Sequence, residues 1–157
     1  MLTYCIGKRS KKVKNIVERA KVKQFAEAIG DAHPIFIDKE TGRNSRYKKN
    51  IAPPTFPRVF DYGAIEGLDI PNDGLIHGEQ IYHYDRPLLI GEKIYCFQEV
   101  KDYYEKTGRN GVMGFIIIKR YGETEGGHLI FTAEQVIIMN EGVRKEIKRY
   151  EKPHRAK

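Results

Sequence analysis

A carboxylate and an imidazole, side-chain types suited to moving a proton near neutral pH, stand close together at Asp31 and His33. They lie within FAEAIGDAHPIFIDKETGRNSRYKKNIAPPTFPRVF, from Phe25 to Phe60, where an acidic turn and a proline-rich segment precede the strands. The surrounding elements decide where the pair can sit. Val22, Phe25, Ala26 and Ile29 recur at the spacing of one helical face, Gly30 suits a left-handed cap, and Pro34 then sets the chain direction. Asp31 and His33 are therefore expected on a tight turn. Farther on, IAPPTFP can be neither helix nor central strand, because its adjacent prolines remove amide donors. Thr55 is placed to cap a helix that carries Pro57 in its first turn.

Other candidates for chemistry carry less. His77 and His83 fall on the same strand face by parity, but no Cys or Asp completes a ligand set, so they read as structural histidines and no metal is implied. Nothing in the sequence calls for a cofactor. Tyr82, Tyr84, Tyr95, Tyr103 and Tyr104 either line a channel for an acyl or pantetheine chain or pack across strands. Cys5 and Cys96 have no paired spacing and the N-terminus shows no apolar leader, which together point to a cytoplasmic protein without disulfides.

The 157 residues suit a single domain, 1–157, with no internal repeat and no linker. No apolar run approaches the roughly 20 residues that span a membrane. The net charge of +7 is concentrated in KRSKKVK near the start and RKEIKRYEKPHRAK at the end. Such ends read as solvated and partly frayed, the second from about residue 141. A basic balance also suits nucleic acid, the phosphates of coenzyme A or an acidic carrier protein, but no zinc-finger, RNP or KH signature favours nucleic acid.

After Pro57, the residues Val59, Phe60, Gly63, Ala64 and Gly67 form a helical face able to approach a sheet closely. The period then changes. Ile76 to Asp85, Ile94 to Tyr104, Val112 to Tyr121 and Leu129 to Met139 are extended runs rich in Ile, Tyr, Phe and Val, divided by PLLIGE, TGRNG and GETEGG. FIII and LIFTAEQVIIM are apolar at both parities, which predicts strands covered on both faces. Helices followed by successive long strands make an α+β order, an antiparallel sheet covering a central helix.

Several separated segments resemble one family. GDAHPIFID resembles the hydratase motif G-D-x-N-P-[LIV]-H of MaoC-like (R)-specific enoyl-CoA hydratases and dehydratases. APPTFP, HGEQIYHYDRPLLIGE and DYYEKTGRNG resemble more specifically the N-terminal-type MaoC dehydratase domain of substrate-binding subunits in two-subunit 3-hydroxyacyl-ACP dehydratases. The resemblance runs from about Val13 to Met139. It implies a hot-dog fold, an antiparallel sheet curved around a long central helix, with active sites formed where two such domains pair.

The family's chemistry uses an aspartate and a histidine on one water beside the thioester. Asp31 matches the aspartate, but the histidine position is Phe36, which cannot exchange a proton. His33 occupies the motif's asparagine position and is either a substitute base or a hydrogen-bonding turn residue. Active relatives carry V-A-H-G before the central helix, where the glycine amide polarises the thioester carbonyl; the matching residues are Ile51, Ala52, Pro53 and Pro54, and Pro54 has no amide hydrogen. Thr55 and Phe56 still offer amides beside it. The resemblance thus implies candidate catalytic residues Asp31 and His33 and substrate contacts at Phe36, Pro54, Thr55 and Phe56. Two readings stay open. One is a lyase acting on 2-enoyl or (3R)-3-hydroxyacyl chains carried by CoA or acyl carrier protein in fatty-acid metabolism, as a homodimer or as the acyl-binding half of a heterodimer with a catalytic MaoC-like subunit. The other is a non-catalytic acyl-thioester-binding module; neither involves nucleic acid or a membrane.

Overall fold

The computed structural model describes residues 2–71, 73–109 and 111–150. A short strand β1 (Val13–Ile16) precedes three helices, α1 (Arg19–Ala28), α2 (Pro34–Ile37) and α3 (Lys39–Asn44). Four long strands follow, β2 (Leu75–Tyr84), β3 (Lys93–Gly108), β4 (Gly111–Glu123) and β5 (Leu129–Met139), and then helix α4 (Glu141–Tyr150). The sheet order is β1-β3-β4-β5-β2, with every neighbouring pair antiparallel. The long strands coincide with the four β-branched and aromatic runs, which fit a pleated surface. Among the described residues, no helix is long and apolar enough to cross a membrane.

Helix α1 buries Val22 and Ala26 completely, as the spacing predicts. It ends at Gly30, φ 72°, in a Schellman arrangement: the Gly30 amide donates to Glu27 O (3.1 Å) and the Asp31 amide to Ala26 O (2.9 Å). Ile29 lies at the cap, where the helical face has run out, and is half exposed.

The long helix expected after Pro57 does not form. A 3-10 turn, Phe56–Val59, is followed by an irregular segment leading to β2. Gly63 (φ 70°) and Gly67 (φ 76°) take left-handed conformations that a right-handed helix cannot contain. The Gly63 backbone also lies so close to Lys11 O that an added Cβ would stand 3.0 Å from it. Phe60, Tyr62 and Ile65 still reach the core, each from an irregular backbone. Apolar spacing registered the burial correctly and the element wrongly.

Directly paired residues share a sheet face, so the registers divide the sheet into an inner and an outer side. On the inner side one core gathers Val22, Phe36, Phe56 and Phe60 against Cys96 and Phe131. A second core gathers Leu2, Ile65, Val143 and Ile147 against Val100, Ile116 and Met139. Each fully buried side chain of this size contributes roughly 1.5–3 kcal/mol. Between the cores runs a polar row, Tyr82–Ala133–Arg120–Gln98, beside the paired Gln80 and Gln135. The outer side is not covered as expected: Ile117, Val136 and Ile138 are half-buried and Ile76 is 52% exposed.

Two further expectations change. A bulge at Gly78 pairs His77 with Ile137 but His83 with Thr132, which places the two histidines on opposite faces. The basic terminal run is not frayed from residue 141. Val143, Arg144 and Ile147 of α4 are buried, and Arg144 bonds Glu105 (2.5 Å) and Val112 O (3.2 Å). Residues 151–157 lie outside the described residues. The N-terminal basic run is likewise held, by ion pairs of Arg9 with Glu99 and Lys12 with Glu123.

Candidate functional site

The turn between α1 and α2 places Asp31 and His33 at the surface, where no hydrogen bond joins them. The Asp31 carboxylate makes no hydrogen bond or ion pair among the described residues. His33 is the N-cap of α2: its Nδ1 accepts from the Ile35 amide at 3.1 Å, ahead of Pro34 in the first turn. This use occupies one ring nitrogen of an exposed side chain. Phe36 points the other way, into the first core at 7% exposure, with its ring 6.0 Å from that of His33. The motif position that holds an imidazole in the resembled family is therefore a packing position here.

The next helix, α3, is capped by Asp38, whose carboxylate accepts from the Thr41 amide and hydroxyl, both at 2.7 Å. These bonds hold the Asp38 carboxyl below its ordinary range. A buried amide ties the region together. Asn50, 2% exposed, donates to Ile35 O (2.8 Å) and Asp38 O (2.7 Å) and accepts from Arg19 Nη1 (2.8 Å). Sequence reasoning missed Asn50 because a lone asparagine before an apolar pair reads as a loop residue.

Pro54 lies in a recess of about 300 Å³ whose lining includes Arg46, Tyr47, Ala52, Tyr84 and Arg86. The Tyr84 hydroxyl donates to Pro54 O at 2.6 Å and is pushed above the ordinary phenol range by burial. Thr55 is exposed and its side chain makes no capping bond. The Phe56 amide is closed onto Pro53 O (2.9 Å) and its ring is 1% exposed, because the 3-10 turn and the core use both. Of the two amides expected beside Pro54, that of Thr55 alone makes no hydrogen bond among the described residues.

A second recess, about 250 Å³, lies nearby and is cationic: Arg19, Lys39, Arg43, Lys48 and Lys49 line it around Asn50, with no acidic residue. Lys48 adopts φ 58°, a left-handed conformation uncommon for a residue other than glycine. The two recesses flank the short Ile51–Leu89 bridge, one lined by Asn50 and Ile90, the other by Ile51, Ala52 and Leu88. The structure therefore brings Pro54 and Tyr84 into a polar-rimmed recess beside a concentration of positive charge, while Asp31 and His33 line neither recess.

A family model described as the FAS1-like dehydratase domain region matches residues 4–133, from the N-terminal segment well into β5. The chain belongs to this dehydratase domain family. A UPF0336 protein of Streptomyces griseus is 32% identical over 123 residues, which is 74% of this chain and 79% of that protein. A UPF0336 protein of Thermobifida fusca is 28% identical over 128 residues, 78% of this chain and 82% of that protein. Among solved structures, a chain of the C-terminally truncated HadBC (3R-hydroxyacyl-ACP dehydratase) complex from Mycobacterium tuberculosis aligns with a TM-score of 0.70 at 19% identity, covering 88% of this chain and 99% of that chain. A chain of the ChsH1–ChsH2 complex from the same organism gives 0.69 at 22% identity, covering 85% and 90%. A MaoC-like dehydratase gives 0.74 at 19% identity, covering 90% of this chain and 44% of its own. At these identities the likeness is one of fold, and it makes the α+β sheet of this family member a hot-dog domain.

Proposed function

We propose that this chain is the acyl-binding subunit of a paired hot-dog dehydratase or hydratase acting on 2-enoyl and (3R)-3-hydroxyacyl thioesters of CoA or acyl carrier protein. The observation that carries the reading is the division of the site: Phe36 and the His33 cap serve the fold, whereas the Pro54 recess and its cationic neighbour remain available to a ligand. An acyl thioester brings an apolar chain and carrier phosphates, which suit Ala52 with Tyr84 and the five Lys and Arg side chains respectively. Pairing is supported by β2, an edge strand of ten residues that carries Tyr84 and therefore the rim of the Pro54 recess. The HadBC and ChsH1–ChsH2 structures are complexes.

In this reading a companion with an intact G-D-x-N-P-x-H motif supplies the acid–base pair, and Asp31 and His33 are not required. The test is to co-express the chain with such a companion, measure their association by light scattering, and assay crotonyl-CoA hydration by each alone and by the pair. Activity confined to the pair supports the proposal. A chain that stays monomeric beside every such companion and binds no acyl thioester overturns it.

A further inference from the structure

The polar row on the inner face contains Arg120 and is reached by Arg58, and among the described residues neither arginine meets a carboxylate. Arg120 projects from β4 between the two apolar cores; its Nε donates to Gln98 Oε1 (3.3 Å) and its guanidinium lies 4.8 Å from the centroid of the Tyr62 ring. Gln98 spends its own amide on Gly63 O (2.6 Å). Arg58, at the end of the 3-10 turn, reaches the same face, where Nη1 makes one long bond of 3.5 Å to Gln135 Oε1. Among the described residues neither arginine has an ion pair, and the terminal nitrogens of Arg120 donate no hydrogen bond.

Burial and the nearby Arg58 charge both disfavour the charged form of Arg120, and both arginines act on the Tyr82 phenol, so the three groups share one locality. The row is under-satisfied on the acceptor side as well: Gln80 donates to Glu134 O (3.0 Å), but its buried Oε1 has no partner. Elsewhere Lys101 and Lys119 of the sheet meet Glu134, and Arg144 of α4 meets Glu105. Arg120 is half-buried and Arg58 is exposed beside it, so a bound anion would meet one desolvated and one accessible guanidinium.

The row is also connected to the Pro54 recess. Tyr84 touches Pro54 O, and the Tyr82 ring stacks on Tyr84 with centroids 6.4 Å apart, next to the two guanidiniums. We propose that Arg58 and Arg120 form a carboxylate-recognition site, so that the acyl group bound by this chain carries a carboxylate. The inference rests on the thioester-binding reading above and names its substrate class. A planar guanidinium matches a carboxylate through two parallel hydrogen bonds, which a methyl-ended chain cannot accept.

The experiment measures binding of glutaconyl-CoA, crotonyl-CoA, 2-hexenoyl-CoA and unacylated CoA to the full chain, alone and paired, by calorimetry. Glutaconyl-CoA is expected to bind about tenfold to a hundredfold more tightly than crotonyl-CoA, the range of a charge-assisted pair. Arg58→Gln, a substitution at an exposed position, and Arg120→Gln should each remove most of that preference while leaving crotonyl-CoA binding unchanged. Thermal melting of both variants establishes that they are folded, and Arg58→Lys should restore only part of the preference. Equal binding of glutaconyl-CoA and crotonyl-CoA overturns the carboxylate site but not the thioester reading. Equal weakening of all four probes by Arg58→Gln identifies a phosphate contact and overturns it too. If none of the probes binds, both proposals fall.

Discussion

The turn from Asp31 to Phe36 and the inner-face row from Tyr82 to Gln98 differ in what their polar groups are used for. At the turn, where the family motif places acid–base chemistry, the imidazole caps a helix and the next motif position is a core phenylalanine. On the inner face, where a sheet normally presents apolar side chains, Arg120 and three glutamines stand between the cores with Arg58 reaching them, and among the described residues Gln80 Oε1 and the terminal nitrogens of Arg120 have no partner. Groups whose hydrogen bonds are met within the chain stabilise it, and groups left unmet are available to a ligand. His33 and Phe36 of the first region are therefore read as structural and the second region as binding.

The sharpest way to break this comparison is to attack the turn as a piece of core. Phe36→Ala should cost about 3–5 kcal/mol, the range for deleting a buried aromatic ring, measured by urea unfolding. A loss near zero would mean that Phe36 is free to serve a ligand instead. Asn50→Ala comes next, at about 2–3 kcal/mol, because it leaves two backbone carbonyls and Arg19 without their buried partner. His33→Ala should cost about 1 kcal/mol through the lost cap and leave hydration by the reconstituted pair unchanged. A variant with intact stability and abolished turnover would move His33 from structure to chemistry.

The smallest effect is expected where α4 closes the second core. Hydrogen bonds from Arg144 and then from the Tyr103 hydroxyl hold the Glu105 carboxyl below its ordinary value of 4.5. A carboxylate with a folded value below its unfolded one contributes stability that is fully present above that ordinary value and is lost as pH falls through the lowered one. Glu105→Gln should therefore flatten the loss of stability below about pH 4.5, as read by unfolding at stepped pH, with the difference limited by the solvent exposure of Glu105.

Much of this architecture was legible in the sequence because it follows from local patterns. The Gly30 cap, the α1 face of Val22 and Ala26, and the four strand runs are each set by residues within one element. The misses have a common cause, dependence on distant partners. Gly63 and Gly67 fit the spacing of small residues on a helix, whereas left-handed dihedrals at both, and a close approach to Lys11 at Gly63, define them. The bulge at Gly78, which separates His77 from His83, appears only in the pairing with β5. Arg58 and Arg120 are far apart in the chain, and their shared place on the inner face depends on strand order, which composition does not encode. Within the candidate site, the replacement of an imidazole by Phe36 and of an amide by Pro54 was readable directly. The closure of the Phe56 amide onto Pro53 was not, because it depends on the 3-10 turn.

The central claim, that the Asp31–Phe36 turn supports the fold and not the reaction, is tested most directly by assaying crotonyl-CoA hydration with the purified, unpartnered chain and its Asp31→Ala and His33→Ala variants. General acid–base help and one oxyanion donor are each commonly worth about two or more powers of ten in rate. The account predicts turnover at the uncatalysed background in all three proteins. Brisk turnover by the unsubstituted chain, abolished by either substitution, would contradict it and make Asp31 and His33 a working pair.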